Sequence, residues 1–221
     1  MIRAIIFDFG GTLVLTKDAV IESMLRSLEI NKVPLPPEEK IVKNMGKCSL
    51  VTIRKIIPKD YPDYEVTVKK CFNTHQRIFP SEFLDYFKEV DGVKETLKYL
   101  LSNNFKLGLL TGWKGREIKP ILKFFQWSEL FDTIITLDDY HHPRPAPDCV
   151  QVIADKLGVK TDDIMYVGDT IDDIGAGKAA KAKTVAVLTG AQSREMLEKE
   201  KPDFIIESVK DLKNIIGEVK K

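Results

Sequence analysis

Three polar residues stand directly beyond apolar runs: Asp8 after Ala4-Ile5-Ile6-Phe7, Thr111 after Phe105–Leu110, and Asp169 after Ile164–Val167 and one glycine. Asp173 lies one helical turn past Asp169. If the three runs are strands that end at one edge, Asp8, Asp169 and Asp173 surround a single crevice. Three like charges held that close repel unless a cation joins them, and hard carboxylate oxygens select a hard divalent ion, Mg²⁺. Mg²⁺ keeps several waters and takes one or two carboxylates plus a phosphate, so the same crevice invites a phosphorylated small molecule. The plainer alternative is that Asp8 sits in a turn and that Asp169 to Asp173 only cap a helix.

The elements that must position these residues follow from the spacing. Ala4 to Phe7 is an unbroken apolar run closed by Gly10-Gly11, the pattern of a strand buried on both faces in a parallel sheet. An acid at the C-terminal end of such a strand points into the crevice where open α/β sheets bind ligands. After Leu13 the period becomes helical for some seventy residues. Val20, Ile21, Met24, Leu25 and Leu28 share one face, and Pro34, Pro36 and Pro37 interrupt the run before it restarts over Glu38 to Met45. Further helices are expected over Leu50–Ile57 and through Val68, Phe72, His75 and Phe79. An all-helical stretch of this size predicts a separate lid, residues 16–87, with linkers near Leu15–Lys17 and Ser81–Val90; residues 1–15 and 88–221 form the core domain.

From Asp91 onwards strands and helices alternate. Asp91 is expected to cap a helix through Val93, Leu97, Leu100 and Leu101; helices are also expected over Lys114–Phe125, Asp148–Leu157, Ile171–Ala182, Arg194–Glu200 and Val209–Val219. Strands are expected at Phe105–Leu110, Thr133–Leu137, Ile164–Val167, Thr184–Leu188 and Phe204–Ile206. This alternation calls for βαβ units, a parallel sheet and right-handed crossovers, an α/β fold.

Composition narrows the function classes. A chain of 221 residues with 43% hydrophobic and 30% charged residues is that of a soluble globular protein. Its formal net charge of +1, with no basic stripe, gives no electrostatic case for nucleic acid or a membrane surface. No apolar run approaches the roughly 18 residues that span a bilayer, and Met1 leads straight into the first strand, so the expectation is a cytoplasmic protein. Cys48, Cys71 and Cys149 are odd in number and lack metal-ligand spacing, which suits a reducing compartment.

Four segments, in order, resemble the motifs of the haloacid dehalogenase superfamily: Asp8-Phe9-Gly10-Gly11-Thr12-Leu13, Thr111-Gly112, Arg144-Pro145-Ala146-Pro147-Asp148 and Gly168-Asp169-Thr170-Ile171-Asp172-Asp173. The resemblance covers essentially the whole chain. It implies a Rossmann-like parallel sheet core of three α/β/α layers, with an inserted all-helical cap as in phosphoglycolate phosphatase-like and β-phosphoglucomutase-like members. It further implies that Asp8 is a nucleophile that becomes an aspartyl-phosphate, later hydrolysed by water. Mg²⁺ is then expected on Asp8, the carbonyl of Gly10, Asp169 and, partly through water, Asp173. Thr111 and Arg144 are implied as catalytic groups, and the N–H groups of Gly11 and Gly112 as the phosphoryl cradle. Lys47, next to Gly46 in the cap turn, is the implied substrate-recognition residue.

Two positions depart from that pattern. Gly10 stands where most family phosphatases carry a second aspartate that protonates the leaving oxygen, a loss that typically costs 10²- to 10⁴-fold. Arg144 stands where the motif usually has lysine, keeping the charge but not the compact ammonium. The resulting expectation is a Mg²⁺-dependent phosphatase of small phosphorylated metabolites, slow or confined to good leaving groups, acting as a monomer or homodimer. Of the histidines, His141 and His142 adjoin Arg144 and are the nearest replacements for the missing acid, whereas His75 reads as a packed cap residue. A 2-haloacid dehalogenase also lacks the second aspartate, but such enzymes need no metal and lack the acid corresponding to Asp169. Phosphonatase-like chemistry needs a cap lysine, for which Lys47 is the nominee. A weakly active or non-catalytic phosphate-binding protein is the reading of a different class.

Overall fold

The structure is a computed structural model and describes residues 1–44, 49–190 and 192–219. In chain order its elements are β1 (Ala4–Phe7), β2 (Val14–Leu15), α1 (Lys17–Ile30), α2 (Glu38–Val42), α3 (Ser49–Ile56), α4 (Tyr64–Ile78), a 3-10 helix (Ser81–Tyr86) and β3 (Lys88–Glu89). There follow α5 (Val93–Ser102), β4 (Lys106–Leu110), α6 (Gly115–Phe124), β5 (Thr133–Ile135), α7 (Asp148–Leu157), β6 (Ile164–Gly168), α8 (Ile171–Ala179), β7 (Lys183–Val187), α9 (Arg194–Lys199), β8 (Phe204–Ile206) and α10 (Leu212–Val219). The chain divides into two compact units, Met1–Leu15 with Lys88–Lys221, and Thr16–Phe87.

The first unit is an α/β domain built on a six-stranded sheet of order β5-β4-β1-β6-β7-β8, in which every neighbouring pair is parallel. β1 lies inside it with all four residues buried, as its continuous apolar sequence requires. Ala4 and Ile6 join Ile153 and Ala154 of α7, Ala176 of α8 and Tyr166 of β6 in one apolar cluster. The chain winds from β1 towards β4 and β5 and then returns to β6 on the other side. That reversal opens a crevice at the C-terminal ends of β1 and β6. Phe7 is level with Leu109 of β4 and Val167 of β6, so Asp8, Thr111 and Asp169 leave their strands within one residue of the same height.

The second unit holds α1 to α4 and the 3-10 helix. Ile21, Met24 and Leu28 of α1 bury against Ile41, Ile53, Ile56, Val68 and Cys71. His75 is buried in the same unit, stacked on Phe79 with ring centroids 5.1 Å apart. The expected end of α2 at Met45 lies outside the described residues.

Several local expectations need correction. The linker segments are partly ordered: β2 pairs antiparallel with β3, and Ser81–Tyr86 forms 3-10 helix. Asp91 does not cap α5; Gly92 occupies the N-cap in the left-handed region, and the Asp91 carboxylate accepts from Lys210 Nζ at 2.8 Å. β5 stops at Ile135 because Thr136 turns, giving both its N–H and its hydroxyl to Asp139 Oδ2 at 2.9 Å. α8 stops at Ala179, closed by Ala182 N–H on the Gly177 carbonyl with Lys181 at positive φ. Val209–Asp211 is 3-10 rather than α-helical. Among the described residues no helix is long and apolar enough to cross a membrane. Cys71 and Cys149 are free and buried, and Cys48 lies outside the described residues.

Candidate active site

Asp8 leaves β1 with its N–H donated to the Val167 carbonyl at 2.8 Å, so the sheet ladder itself aims the carboxylate. The next residues fold into a tight loop, Gly11 N–H bonding to Val14 O at 2.8 Å. Gly11 is glycine for two reasons. Its φ is +86°, and a Cβ there would stand 2.5 Å from Asp169 Oδ2. Thr12, fully buried, donates its hydroxyl to Asp169 Oδ1 at 3.1 Å.

Asp173 lies in the first turn of α8 and is only 1% exposed. Its Oδ2 accepts from Thr170 N–H at 3.0 Å and from the Thr170 hydroxyl, while Thr170 Oγ1 accepts from the Asp173 N–H, a reciprocal capping box. Its Oδ1 accepts from the Tyr166 hydroxyl at 2.7 Å and from Arg144 Nη1. The capping residues of the helix therefore also build the site.

Arg144 reaches the crevice from the proline-rich loop before α7. Nη1 donates to Asp8 Oδ1 at 2.8 Å and to Tyr166 Oη at 2.9 Å, besides Asp173. Gly112 leaves room for the guanidinium: a Cβ there would lie 3.3 Å from Nη2. Thr111 is 2% exposed; its hydroxyl accepts from Trp113 N–H at 3.2 Å, and its carbonyl accepts from the Tyr140 hydroxyl. Trp113 meets Phe9 edge-on at 5.6 Å between ring centroids.

The electrostatics follow from burial. Desolvation and the Asp173 charge raise the Asp8 carboxyl to about 7, against the opposing pull of Arg144. Burial disfavours the Arg144 cation, but Asp173, Tyr166 and Asp8 outweigh it and hold its pKa well above the ordinary value. Burial keeps the Tyr166 phenol protonated far above its usual range, so it remains a donor. Asp8, Asp169 and Asp173 each offer an oxygen within 4.8 Å of the others. Three carboxylates and one guanidinium leave two negative charges, the complement of a divalent cation, and the oxygen donor set is of the kind hard cations take.

The structure thus brings together Asp8, Thr111, Arg144, Asp169 and Asp173 with the loops of Gly10, Gly11 and Gly112. Lys47 lies outside the described residues. His142 pairs instead with Asp148, its Nδ1 2.5 Å from Asp148 Oδ1 with the side chain 74% exposed, and His141 is exposed. Two parts of the site were not singled out from sequence. Tyr166 reads in the sequence as one more residue of an apolar strand, although its hydroxyl is the one polar side-chain group in Ile164–Gly168. The other part is the segment after β7: Thr189 donates to Gly11 O at 2.6 Å, and Gly190 packs so closely on Asp169 that no Cβ fits. The signal for both was the rule used for Asp8, that function gathers at strand C-termini.

The family profile described as haloacid dehalogenase-like hydrolase matches residues 5–187. A protein named Pyrophosphatase PpaX from Bacillus pumilus (strain SAFR-032) is 31% identical over 216 residues, 98% of this chain and 97% of its own. The protein of the same name from Bacillus cereus (strain AH820) is 28% identical over 218 residues, 99% and 98% of the two chains. Among solved structures, one described as a predicted phosphoglycolate phosphatase from Haemophilus somnus 129pt shares the fold with a TM-score of 0.83 at 22% identity, covering 97% of this chain and 98% of its own. A subfamily IA hydrolase from Geobacter sulfurreducens PCA shares it with a TM-score of 0.78 at 18% identity, covering 98% and 97%. With a profile match over most of its length, the chain belongs to the haloacid dehalogenase-like hydrolases, an enzyme family whose phosphatase-named members it resembles from end to end.

Proposed function

We propose that the protein is a Mg²⁺-dependent phosphohydrolase of small phosphorylated metabolites in which Asp8 is the nucleophile. The observation that carries this reading is the Asp8 carboxylate itself, buried, bonded through Oδ1 to Arg144 and adjoining two further acids. With Oδ1 tethered, the other oxygen of Asp8 attacks phosphorus while the bond from phosphorus to the leaving oxygen breaks. Water then attacks the phosphorus of the aspartyl-phosphate, releasing inorganic phosphate and restoring the carboxylate. Arg144 and the N–H groups of Gly11 and Gly112 stabilise charge on the transferring phosphoryl oxygens, and the Thr111 hydroxyl orients the group.

Asp8, Asp169 and the Gly10 carbonyl are the residues assigned to hold the ion. Asp173 already accepts from Thr170, Tyr166 and Arg144, so it would help to hold the ion through water rather than directly. The ion, when bound, offsets repulsion between carboxylate and phosphate and lowers the Asp8 pKa. Residues 16–87 are assigned the role of a cap that selects substrate, with Lys47 as its recognition residue.

Gly10 supplies no acid for the leaving oxygen. This favours leaving groups that depart without strong protonation: the phosphate of a phosphoric anhydride, an acyl phosphate or an aryl phosphate. Pyrophosphate, the substrate named for the PpaX relatives, is such an anhydride. The test is phosphate release from pyrophosphate, an aryl phosphate and a set of alkyl phosphates, with and without Mg²⁺, for the wild type and Asp8→Asn. Release that requires both Mg²⁺ and Asp8, and favours the anhydride or aryl ester, is expected. Release that persists in Asp8→Asn, or chloride release from 2-chloropropionate without metal, would refute the proposal.

A further inference from the structure

The Tyr166 ring lies in the apolar cluster with Ala4, Ile6, Cys149 and Ala176. Phenylalanine would satisfy that packing equally. The hydroxyl is therefore the informative part of the residue: a buried O–H persists where it has partners, and this one has two. It donates to Asp173 Oδ1 at 2.7 Å and accepts from Arg144 Nη1 at 2.9 Å. Nη1 carries two hydrogens and faces three acceptors: Asp8 Oδ1, Asp173 Oδ1 and Tyr166 Oη. Removal of the phenol leaves Asp173 short of one donor, and the guanidinium is drawn to supply it at the expense of Asp8. A planar guanidinium depends on orientation in a way that a lysine ammonium, a point charge with rotatable donors, does not.

We propose that Tyr166 is a positioning residue, whose hydroxyl satisfies Asp173 and so holds the Arg144 guanidinium against the Asp8 carboxylate. Its kinetic consequence rests on the phosphohydrolase reading above; its structural consequence does not. Tyr166→Phe is compared with the wild type on pyrophosphate or an aryl phosphate, and again in an Arg144→Lys background. In the Arg144 protein the substitution is expected to lower kcat about tenfold with little change in KM, as for one lost hydrogen bond to a charged network. In the Arg144→Lys background it is expected to change kcat by less than about twofold. Equal losses in both backgrounds, or no loss in either, would overturn the proposal, because a residue that only packs acts regardless of residue 144. A crystal structure of Tyr166→Phe is the independent readout. The guanidinium is expected to turn off Asp8 Oδ1 towards Asp173, and a guanidinium unmoved on both acids would overturn the assignment. If the wild type shows no Asp8-dependent turnover, the function reading fails and the crystal structure alone decides on Tyr166.

Discussion

Arg144 donates to Asp8 at 2.8 Å from the same nitrogen that bonds Asp173, so one buried cation is shared between the first strand and the helix that follows β6. The two acids are 165 positions apart in sequence, and the guanidinium makes their placement interdependent. The shared cation is also insufficient: burial and Asp173 still raise Asp8, and with all three acids ionised two negative charges would remain for a divalent ion.

The first prediction concerns Asp8 and pH without metal. Its folded pKa of about 7 lies above the ordinary 3.8, so between those values the folded protein binds more protons than the unfolded one. Asp8 therefore costs stability progressively as pH rises from about 4 to 7. Asp8→Asn is expected to remove that slope and to be more stable than the wild type at pH 8 by a few kcal/mol, read from urea unfolding in EDTA. Equal stabilities at pH 8 would show that Arg144 fully compensates the buried charge.

His75 gives the opposite slope. Burial lowers it from 6.5 to about 4, against a hydrogen bond to the Ser23 backbone that favours its charged form, and its Nδ1 has no hydrogen-bond partner among the described residues. Its folded form binds fewer protons than the unfolded chain over that window, so stability is full above pH 6.5 and falls as pH drops towards 4. His75→Leu is expected to flatten this acid limb, by roughly 3 kcal/mol at pH 4 relative to pH 7. An unchanged limb would place the acid sensitivity elsewhere.

Gly11 and Gly190 both leave no room for a methyl group beside Asp169. Gly11→Ala and Gly190→Ala are expected to push Asp169 out of the cluster, weakening Mg²⁺ binding about tenfold or more by calorimetry, with a parallel loss of phosphate release. Thr189→Val, which removes only the bond to Gly11 O, is expected to have a smaller effect of the same sign. Mg²⁺ affinity unchanged in both glycine variants would remove Asp169 from the metal site.

Gly10 tests the protonation argument. Its φ is not among the positive ones, so the backbone there does not itself demand glycine. Gly10→Asp is expected to raise kcat/KM for alkyl phosphates by about 10²-fold and to leave pyrophosphate hydrolysis far less affected. A uniform change across leaving groups would mean that the missing acid does not limit turnover.

Much of the core was legible because its signals are local. The apolar run Ala4–Phe7, the glycine turn behind Asp8 and the alternation after Asp91 each constrain their own segment, and strand ends then assemble the acids. What stayed hidden depends on partners distant in sequence. Tyr166 looks like any aromatic strand residue until Arg144 and Asp173 are placed around its hydroxyl. Thr189 and Gly190 gain meaning only when β7 is set beside β6, and Asp91 lost its capping role to Lys210 across the domain. The shortening of β5 was written locally in Thr136 and Asp139, but side chain to backbone bonding of that kind competes with strand propensity and was outweighed in the sequence pattern.

The central claim is covalent attack by Asp8, and acid quenching of the enzyme during turnover of pyrophosphate or an aryl phosphate with Mg²⁺, followed by peptide mass spectrometry, tests it most directly. The account predicts a phosphoryl group on the peptide that carries Asp8, discharged by a chase with water and absent from Asp8→Asn. Steady release of phosphate by Asp8→Asn, or a phosphoryl group on any other residue, would contradict it.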